Sequence, residues 1–259
     1  MTNVGVLDKV MAILDAFHDG SDRLEPAQVA SRVGISAPTA YRLMAAMASH
    51  RLLDVEGRDY RLGTRLLQLG ASVSEGVEVR AVALPHLKSL RDATGETVEL
   101  QFRTGHSRVP VEMVVGHRTV RTMGQIGVPL PIHVGASSRV LMAWLDEDGA
   151  LELAGRSAAQ SPGADWDPER YRDRLRQVRA QGWEFSSGER DPETAAVSVP
   201  VIDRVGDVVA AVVVSATLAR LADPAHRTAV VAQARVCGEA ISADLGHLGT
   251  QHAPKESIA

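Results

Sequence analysis

At 259 residues the chain is long enough for one or two domains. Its 45% hydrophobic and 23% charged content supports a soluble globular fold, with a core built from Val, Leu, Ala and Met because aromatics are only 3%. A formal net charge of −4 excludes nucleic-acid binding through overall basicity; a contact of that kind needs a local patch, because a screened field decays within about 10 Å at 0.1 M salt. Cys237 is the only cysteine, so an intramolecular disulfide is excluded, and no Cys/His cluster has zinc spacing. Neither a metal nor a cofactor is expected. The start of the chain reads as neither signal peptide nor anchor. No run approaches the ~18 apolar residues of a spanning helix, so a cytoplasmic protein with no membrane partner is expected.

Val6, Leu7, Val10, Ile13, Leu14 and Phe17 form the stripe of an amphipathic helix, which Asp19-Gly20-Ser21-Asp22 should end. A second helix should start at Glu25-Pro26, bury Val29, Ala30 and Val33, and close at Gly34. Ser36 suits the N-cap of a third, with Pro38 in its first turn and Ala40, Leu43, Met44 and Met47 as its core stripe. Alternating segments either side of Glu56-Gly57-Arg58-Asp59 then predict a β-hairpin. Three short helices and a hairpin within residues 1–63 describe a winged helix-turn-helix.

On that reading the face of the third helix opposite its core stripe shows Ala37, Pro38, Tyr41, Arg42 and Ala45, the side chains able to enter a major groove. Arg42 could fork onto guanine or hold a phosphate. Ser36 and Thr39 suit a phosphate at the helix start, and Arg58 and Arg61 of the wing suit backbone or minor-groove contact. The acidic Asp15, Asp19, Asp22 and Glu25 should face away from DNA. The competing reading is a winged helix that binds protein, with Arg42 a solvated charge.

Residues 64–84 read as a linker helix, within a helical stretch made of Thr64–Ser74 and Val79–Thr94 and kinked near Pro85. Residues 85–248 read as the second domain. Its strands are predicted at Thr97–Thr104, Arg108–Val115, Val120–Met123, Ala196–Ile202 and Val208–Ala216. Its helices are predicted at Ser138–Leu145, Pro168–Gln181 and Pro224–Leu245. Hairpin signals such as Asp203-Arg204-Val205-Gly206-Asp207 favour an antiparallel α+β domain. The polar tail 249–259 is expected to be disordered.

Two further segments bear on chemistry. Leu130 to Arg139 should end a strand at Gly135 and start a helix near Ser137 or Ser138, where free N–H groups and a hydroxyl could hold a carboxylate; the alternative is a simple serine cap. Glu189 and Asp191 could be an acid/base pair, but Arg190 lies between them and a loop salt bridge is favoured. His86 and His133 have no partner at metal-ligand spacing, and Cys237 reads as a small core residue. With no nucleophile–base spacing or nucleotide fingerprint, an enzyme with an appended winged helix is the weaker rival.

The chain resembles the isocitrate-lyase-regulator (IclR) family of bacterial transcription factors from about Val6 to Leu245. The residues that carry the resemblance are Val29-Ala30, Gly34-Ile35-Ser36, Thr39, Arg42-Leu43, Tyr60-Arg61-Leu62-Gly63, Pro85-His86-Leu87 and Thr94-Gly95-Glu96-Thr97-Val98. Further along come Gly127, Leu130-Pro131-Ile132-His133, Ala136-Ser137-Ser138-Arg139, Gly182-Trp183, Gly188-Glu189, Val199-Pro200-Val201 and Gly206. The resemblance implies a GAF-like effector domain, a homodimer or dimer of dimers, palindromic double-stranded operator DNA, and a small organic or aromatic acid as effector. It implies a pocket lined by Thr119, Thr122, Leu130, Ala136, Ser137, Ser186, Ala196, Val213 and Ser215. Pro38 stands where the family often has Ser or Lys, and Glu193 where it often has Gly. Ser186 and Ala196 replace an Asp and a Cys that hold polar ligands in some members, from which a larger or more apolar effector is expected.

Overall fold

The computed structural model describes residues 5–17, 23–71, 74–161 and 165–247. The segment at Asp19–Asp22 and the tail from 249 fall outside them. The chain divides into two compact units, 1–77 and 78–259.

The first unit contains α1 (Val6–Asp15), α2 (Pro26–Val33), α3 (Ala37–Ser49), β1 (Leu53–Glu56), β2 (Asp59–Leu62) and α4 (Arg65–Ala71). Gly34 ends α2 in the left-handed conformation that glycine adopts without strain (φ 71°). Ser36 caps α3, with Pro38 in its first turn. Ile13, Leu24, Val29, Ala40, Met44, Leu53 and Tyr60 pack into one small core. β1 and β2 pair from Leu53–Leu62 to Glu56–Asp59 around the Gly57-Arg58 turn, and Leu24 bridges to Tyr60. Gly63 is where the chain leaves the wing against the 51–52 backbone: a Cβ there would lie 2.2 Å from the Arg51 carbonyl oxygen.

The second unit takes in most of α5 (Ser74–Thr94), then β3 (Thr97–Thr104), β4 (Ser107–Val114), β5 (Leu130–Pro131), α6 (Ala136–Met142), α7 (Glu147–Ala159), α8 (Pro168–Gln181), β6 (Glu184–Ser187), β7 (Thr194–Ile202), β8 (Val208–Thr217), α9 (Leu218–Ala222) and α10 (Pro224–Asp244). The six strands form one antiparallel sheet in the order β5-β4-β3-β8-β7-β6. Residues 120–123, expected as a strand, form none: Thr97 Oγ donates to the Thr122 carbonyl and Thr122 Oγ to that of Ser215, so side chains hold the segment as a loop. α5 runs through Pro85 as one helix. α7 was not foreseen, because Gly149 and Gly155 weaken its helical signature; Asp146 caps it, and Gly155 admits Trp166 alongside.

Strand alternation sorts the two sheet faces. Val98, Leu100, Val197, Val199, Val212 and Val214 join Leu87 and Leu90 of α5 and Val230, Ala234 and Ile241 of α10 in the larger core. The next residues along each strand, Glu99, Gln101, Ser198 and Ala211 among them, belong to the other face. There Ala211 packs with Val140, Met142, Ala150, Leu175 and Val178 of α6, α7 and α8.

Ion pairs hold α6 in place. Arg139 is 5% exposed. It donates through both terminal nitrogens to Glu189 (2.9 and 2.6 Å) and through Nε to Glu184 (3.1 Å). Glu184, 1% exposed, is also paired with Arg174 of α8. Glu189 further accepts the Gly135 N–H at 2.8 Å. The salt bridge expected inside the 189–191 loop is therefore made with α6 instead. Burial opposes ionisation of Glu189, but hydrogen bonding and the charge of Arg139, with the Gly135 N–H and Arg174, outweigh it and hold the carboxyl below its ordinary 4.5.

Two outcomes are expected from these packing and charge constraints. Gly63→Ala should destabilise the winged helix by about 1–3 kcal/mol, because backbone must move to admit the methyl; an unchanged denaturation midpoint would show that the close approach relaxes freely. Glu189→Gln should lower stability by about 1.5–3 kcal/mol at neutral pH, the usual worth of charge-assisted hydrogen bonds. Because the folded carboxyl titrates below the unfolded one, that contribution is full above the ordinary value and is lost as pH falls through the lowered one. The gap between wild type and variant, followed by denaturant titration, should therefore narrow below about pH 4.5; a gap constant to the acid limit would rule out ionised Glu189 as its source.

Candidate nucleic-acid interface and effector cavity

In the first unit Ser36, Ala37, Pro38, Tyr41 and Arg42 are exposed and Thr39 is half-buried, while Ala40, Met44 and Met47 are buried. The helical period thus puts the expected reading face in solvent. Ser36 Oγ accepts the Thr39 N–H (3.4 Å) and shares a 2.8 Å hydrogen bond with its hydroxyl. Tyr41 is 62% exposed, an unusual position for an aromatic ring with no partner to cover it. Among the described residues no carboxylate pairs with Arg42 or with Arg58 at the wing turn. Arg61 differs: it pairs with Glu56 at 2.7 Å and lies 3.6 Å from Asp54, and Glu56 also binds Arg23. Its charge is partly neutralised within the wing, a consequence of strand register that the sequence did not reveal.

In the second unit a narrow cavity of about 50 Å³ lies between the sheet and α6. Cross-strand register builds its floor: Ser186 pairs with Ala196, Ala196 with Ser215, and Ser215 with Thr97, while Val213 lies opposite Glu99. Thr122, Ala136, Ser137, Ser186, Ala196, Val213 and Ser215 meet on its wall. Thr119 and Leu130 do not. Thr119 sits beyond the Thr122 anchor, beside an open cleft with Arg118 and Arg220. Leu130 is held in the edge strand opposite Arg108.

Sequence reasoning missed the cavity's charged groups, Glu99, Arg108, Glu189 and Arg190, together with Gln101. Arg108 is 4% exposed. Its Nε donates to Ser138 Oγ (2.9 Å) and the Pro131 carbonyl (3.3 Å), its Nη1 to Gln101 Oε1 (2.8 Å), and its Nη2 to the Val134 carbonyl (3.3 Å). All of these acceptors are neutral. Burial, then the charge of Arg190, pulls its pKa down to about 10, so it stays protonated at neutral pH. Ser137 Oγ donates to the same Gln101 oxygen (2.8 Å), and Gln101 Nε2 donates to Glu99 (2.5 Å). Ser137 is not a cap: the helix starts at Ala136, and Gly135 occupies the N-cap at φ 94°. A Cβ at Gly135 would come within 3.0 Å of Arg108 Nη2, which is why glycine suits a position that sequence patterning marked only as a strand end. With ten of its lining residues charged, hydroxyl or amide, the cavity is small and polar, and a larger or more apolar effector, as expected from Ser186 and Ala196, would find few apolar side chains there.

Among the described residues no cluster of His, Cys, Asp or Glu could hold a metal ion, and no helix is long and apolar enough to cross a membrane.

The order and spacing of these features recur in known proteins. The chain is 29% identical over 245 residues to the HTH-type transcriptional regulator XynR of Escherichia coli, covering 93% of this chain and 97% of that one. It is 29% identical over 248 residues to the glycerol operon regulatory protein of Streptomyces griseus, covering 94% and 97%. In fold it is similar to an IclR homolog from Microbacterium hydrocarbonoxydans complexed with 4-hydroxybenzoate (TM-score 0.78, 23% identity, 93% and 99% covered). The IclR transcriptional regulator of Alicyclobacillus acidocaldarius is likewise similar (TM-score 0.75, 22% identity, 93% and 98% covered). The IclR helix-turn-helix domain matches residues 6–57, and the bacterial transcriptional regulator IclR C-terminal domain matches residues 71–243. With both halves of the family pattern present in order, the chain belongs to the IclR family of bacterial transcriptional regulators, DNA-binding proteins of the helix-turn-helix type.

Proposed function

We propose that the protein binds operator DNA through α3 and the wing, and that a small organic acid in the cavity beneath α6 modulates this binding. The observation that carries the effector half is Arg108: a buried, protonated guanidinium whose hydrogen bonds all go to neutral acceptors. A buried cation without a carboxylate partner favours an incoming anion. Arg190 adds positive charge at the same wall; of the two carboxylates there, Glu189 is engaged by Arg139, and Glu99 is hydrogen-bonded by Gln101 and offsets part of the Arg108 charge. Ser137 and Gln101 supply the orienting hydrogen bonds. The volume argues for an acid of few atoms: about 50 Å³ compares with the ~300–1,000 Å³ of sites for drug-sized ligands. An aromatic acid would require the cavity to open.

For DNA, Arg42 and Tyr41 are the groove-facing side chains, Ser36, Ala37, Pro38 and Thr39 lie at the start of the reading helix, and Arg58 reaches from the wing. A helix-turn-helix dimer places its reading helices in half-sites about 34–36 Å apart, hence a palindromic operator. Support for a homodimer, or a dimer of dimers, comes from apolar side chains left in solvent: Val6, Leu7 and Met11 of α1 are 67%, 72% and 50% exposed, and Leu67 and Leu69 of α4 are 76% and 48% exposed. In the sequence α4 and α5 lie between reader and sensor. An effector alters DNA affinity only through its differential affinity for two states, with a coupling typically of about 1–3 kcal/mol.

The protein is read as a non-enzyme: the Ser137 hydroxyl donates to Gln101 rather than to a base, and Glu189 is neutralised by Arg139.

Arg42→Ala should weaken operator binding about tenfold or more, as expected when a bidentate base or phosphate interaction is removed, with unchanged unfolding. Fluorescence anisotropy on DNA from upstream of this protein's own gene, at two salt concentrations, measures it; equal affinity would remove Arg42 from the reader. Ser137→Ala should leave operator affinity intact and raise the concentration of pyruvate-type acid needed to change it. A variant that instead loses stability while keeping the same response would make Ser137 a packing residue.

A further inference from the structure

A second cavity lies outside the first. It is a groove of about 550 Å³ between α8, the 131–134 segment and the 189–190 loop. It shares only Glu189 and Arg190 with the inner cavity, and its size is that of a small-molecule site. Its chemistry is of two kinds. Half-buried Trp166 contributes aromatic surface, backed by the Tyr171 ring, which is 6% exposed and lies 5.1 Å away with its plane tilted by 53°. Around them stand cations that the fold leaves incompletely engaged. Arg190 is exposed, and among the described residues no carboxylate pairs with it. Arg170 approaches only Asp165, at 3.7 Å, with both side chains largely in solvent. Arg174 is paired with Glu184, yet its Nε is buried without a hydrogen-bond partner. His133 adds a neutral imidazole: burial, then the charge of Arg108, lowers its pKa. Its Nδ1 is taken by Ser157 Oγ at 3.0 Å.

We propose that this groove is a second small-molecule site, one that binds a flat aromatic monocarboxylate with its ring against Trp166 and its carboxylate between Arg170 and Arg190. A ring needs an aromatic or apolar face to lie on, which the inner cavity lacks and Trp166, with Pro131 and Val134, supplies in the groove. A carboxylate needs forked donors, and guanidinium groups supply them. Asp165 and Asp167 on the rim repel a second negative charge, so a dicarboxylate is disfavoured. Because Arg190 borders both cavities, an acid in the groove competes for the cation that faces the inner one, and the two ligands bind interdependently. The inference does not need the inner cavity to hold an effector.

The test uses the full-length protein with 4-hydroxybenzoate as probe, followed by titration calorimetry and tryptophan emission. Wild type should bind it with quenching of Trp166. Trp166→Phe should keep the binding heat and lose that quench. Arg170→Gln, a surface change with no folding role, should weaken affinity about tenfold, the worth of a single charge-assisted hydrogen bond to the carboxylate. Ser137→Ala, inside the other cavity, should leave the affinity within about twofold, as expected for a site it does not touch. Absence of both heat and quench up to about 10 mM, a Kd weaker than any specific site of this size should give, overturns the proposal. So does binding that Ser137→Ala abolishes and Arg170→Gln leaves alone, which would put the aromatic acid in the inner cavity.

Discussion

The buried guanidinium of Arg108 is the constraint on which the sensing unit turns. A cation 4% exposed, at the edge of a sheet, is costly unless its donors are satisfied. The fold answers with the Pro131 and Val134 carbonyls, the Ser138 hydroxyl and the Gln101 amide oxygen. Those four acceptors come from the strand β5, the turn into α6, α6 itself and β3, so satisfying one side chain fixes the turn against the sheet. Gly135 belongs to the same constraint, since a side chain there would crowd Nη2. The arrangement satisfies hydrogen bonds without a paired carboxylate; Glu99, in the same cavity, acts on the guanidinium through its charge and is itself hydrogen-bonded by Gln101.

A second arginine shows the opposite solution. Arg139 meets two carboxylates, Glu184 and Glu189, and Arg174 meets the first of them again. Here charge is compensated within the protein, and the result is mechanical: α6, α8, β6 and the 188–193 loop are tied at one point. The two arginines lie on either side of the same helix start. One supports the cavity wall and the other supplies the attraction, so removing either would be felt in stability, but only Arg108 has charge left over for a ligand.

Long period-2 and period-3.6 patterns were legible in the sequence because burial enforces them. β3, α8 and α10 lie within a residue of where alternation and capping placed them, as does the winged helix through its Ser36 cap and Gly34 stop. Short or side-chain-held elements were not: β5 has two residues, α9 has five, and residues 120–123 carry a strand-like sequence held as a loop by the Thr97 and Thr122 hydroxyls. Seven of the cavity residues were reached through family resemblance. The charged ones were not, because a polar residue inside a strand, such as Glu99 or Gln101, reads as solvent-facing until a helix is known to cover that face. Arg61 failed in the converse way: it reads as a free cation until cross-strand register sets it beside Glu56.

The small volume of the inner cavity bears on how an effector acts. At about 50 Å³ it is large enough for a carboxylate head and little more, and the Ser137–Gln101–Glu99 chain of hydrogen bonds already occupies the groups that would greet a ligand. A ligand that needs more room binds an opened form, and its apparent affinity falls by the fraction of molecules that are open. Ser137 belongs to α6 and Gln101 to β3, and Gln101 Oε1 also accepts from Arg108, so a ligand that displaces the Ser137–Gln101 hydrogen bond acts where helix, sheet and cation meet. A small acid that takes the place of this hydrogen bond would therefore be felt at the joint between helix and sheet, the place where its differential affinity for two states would act.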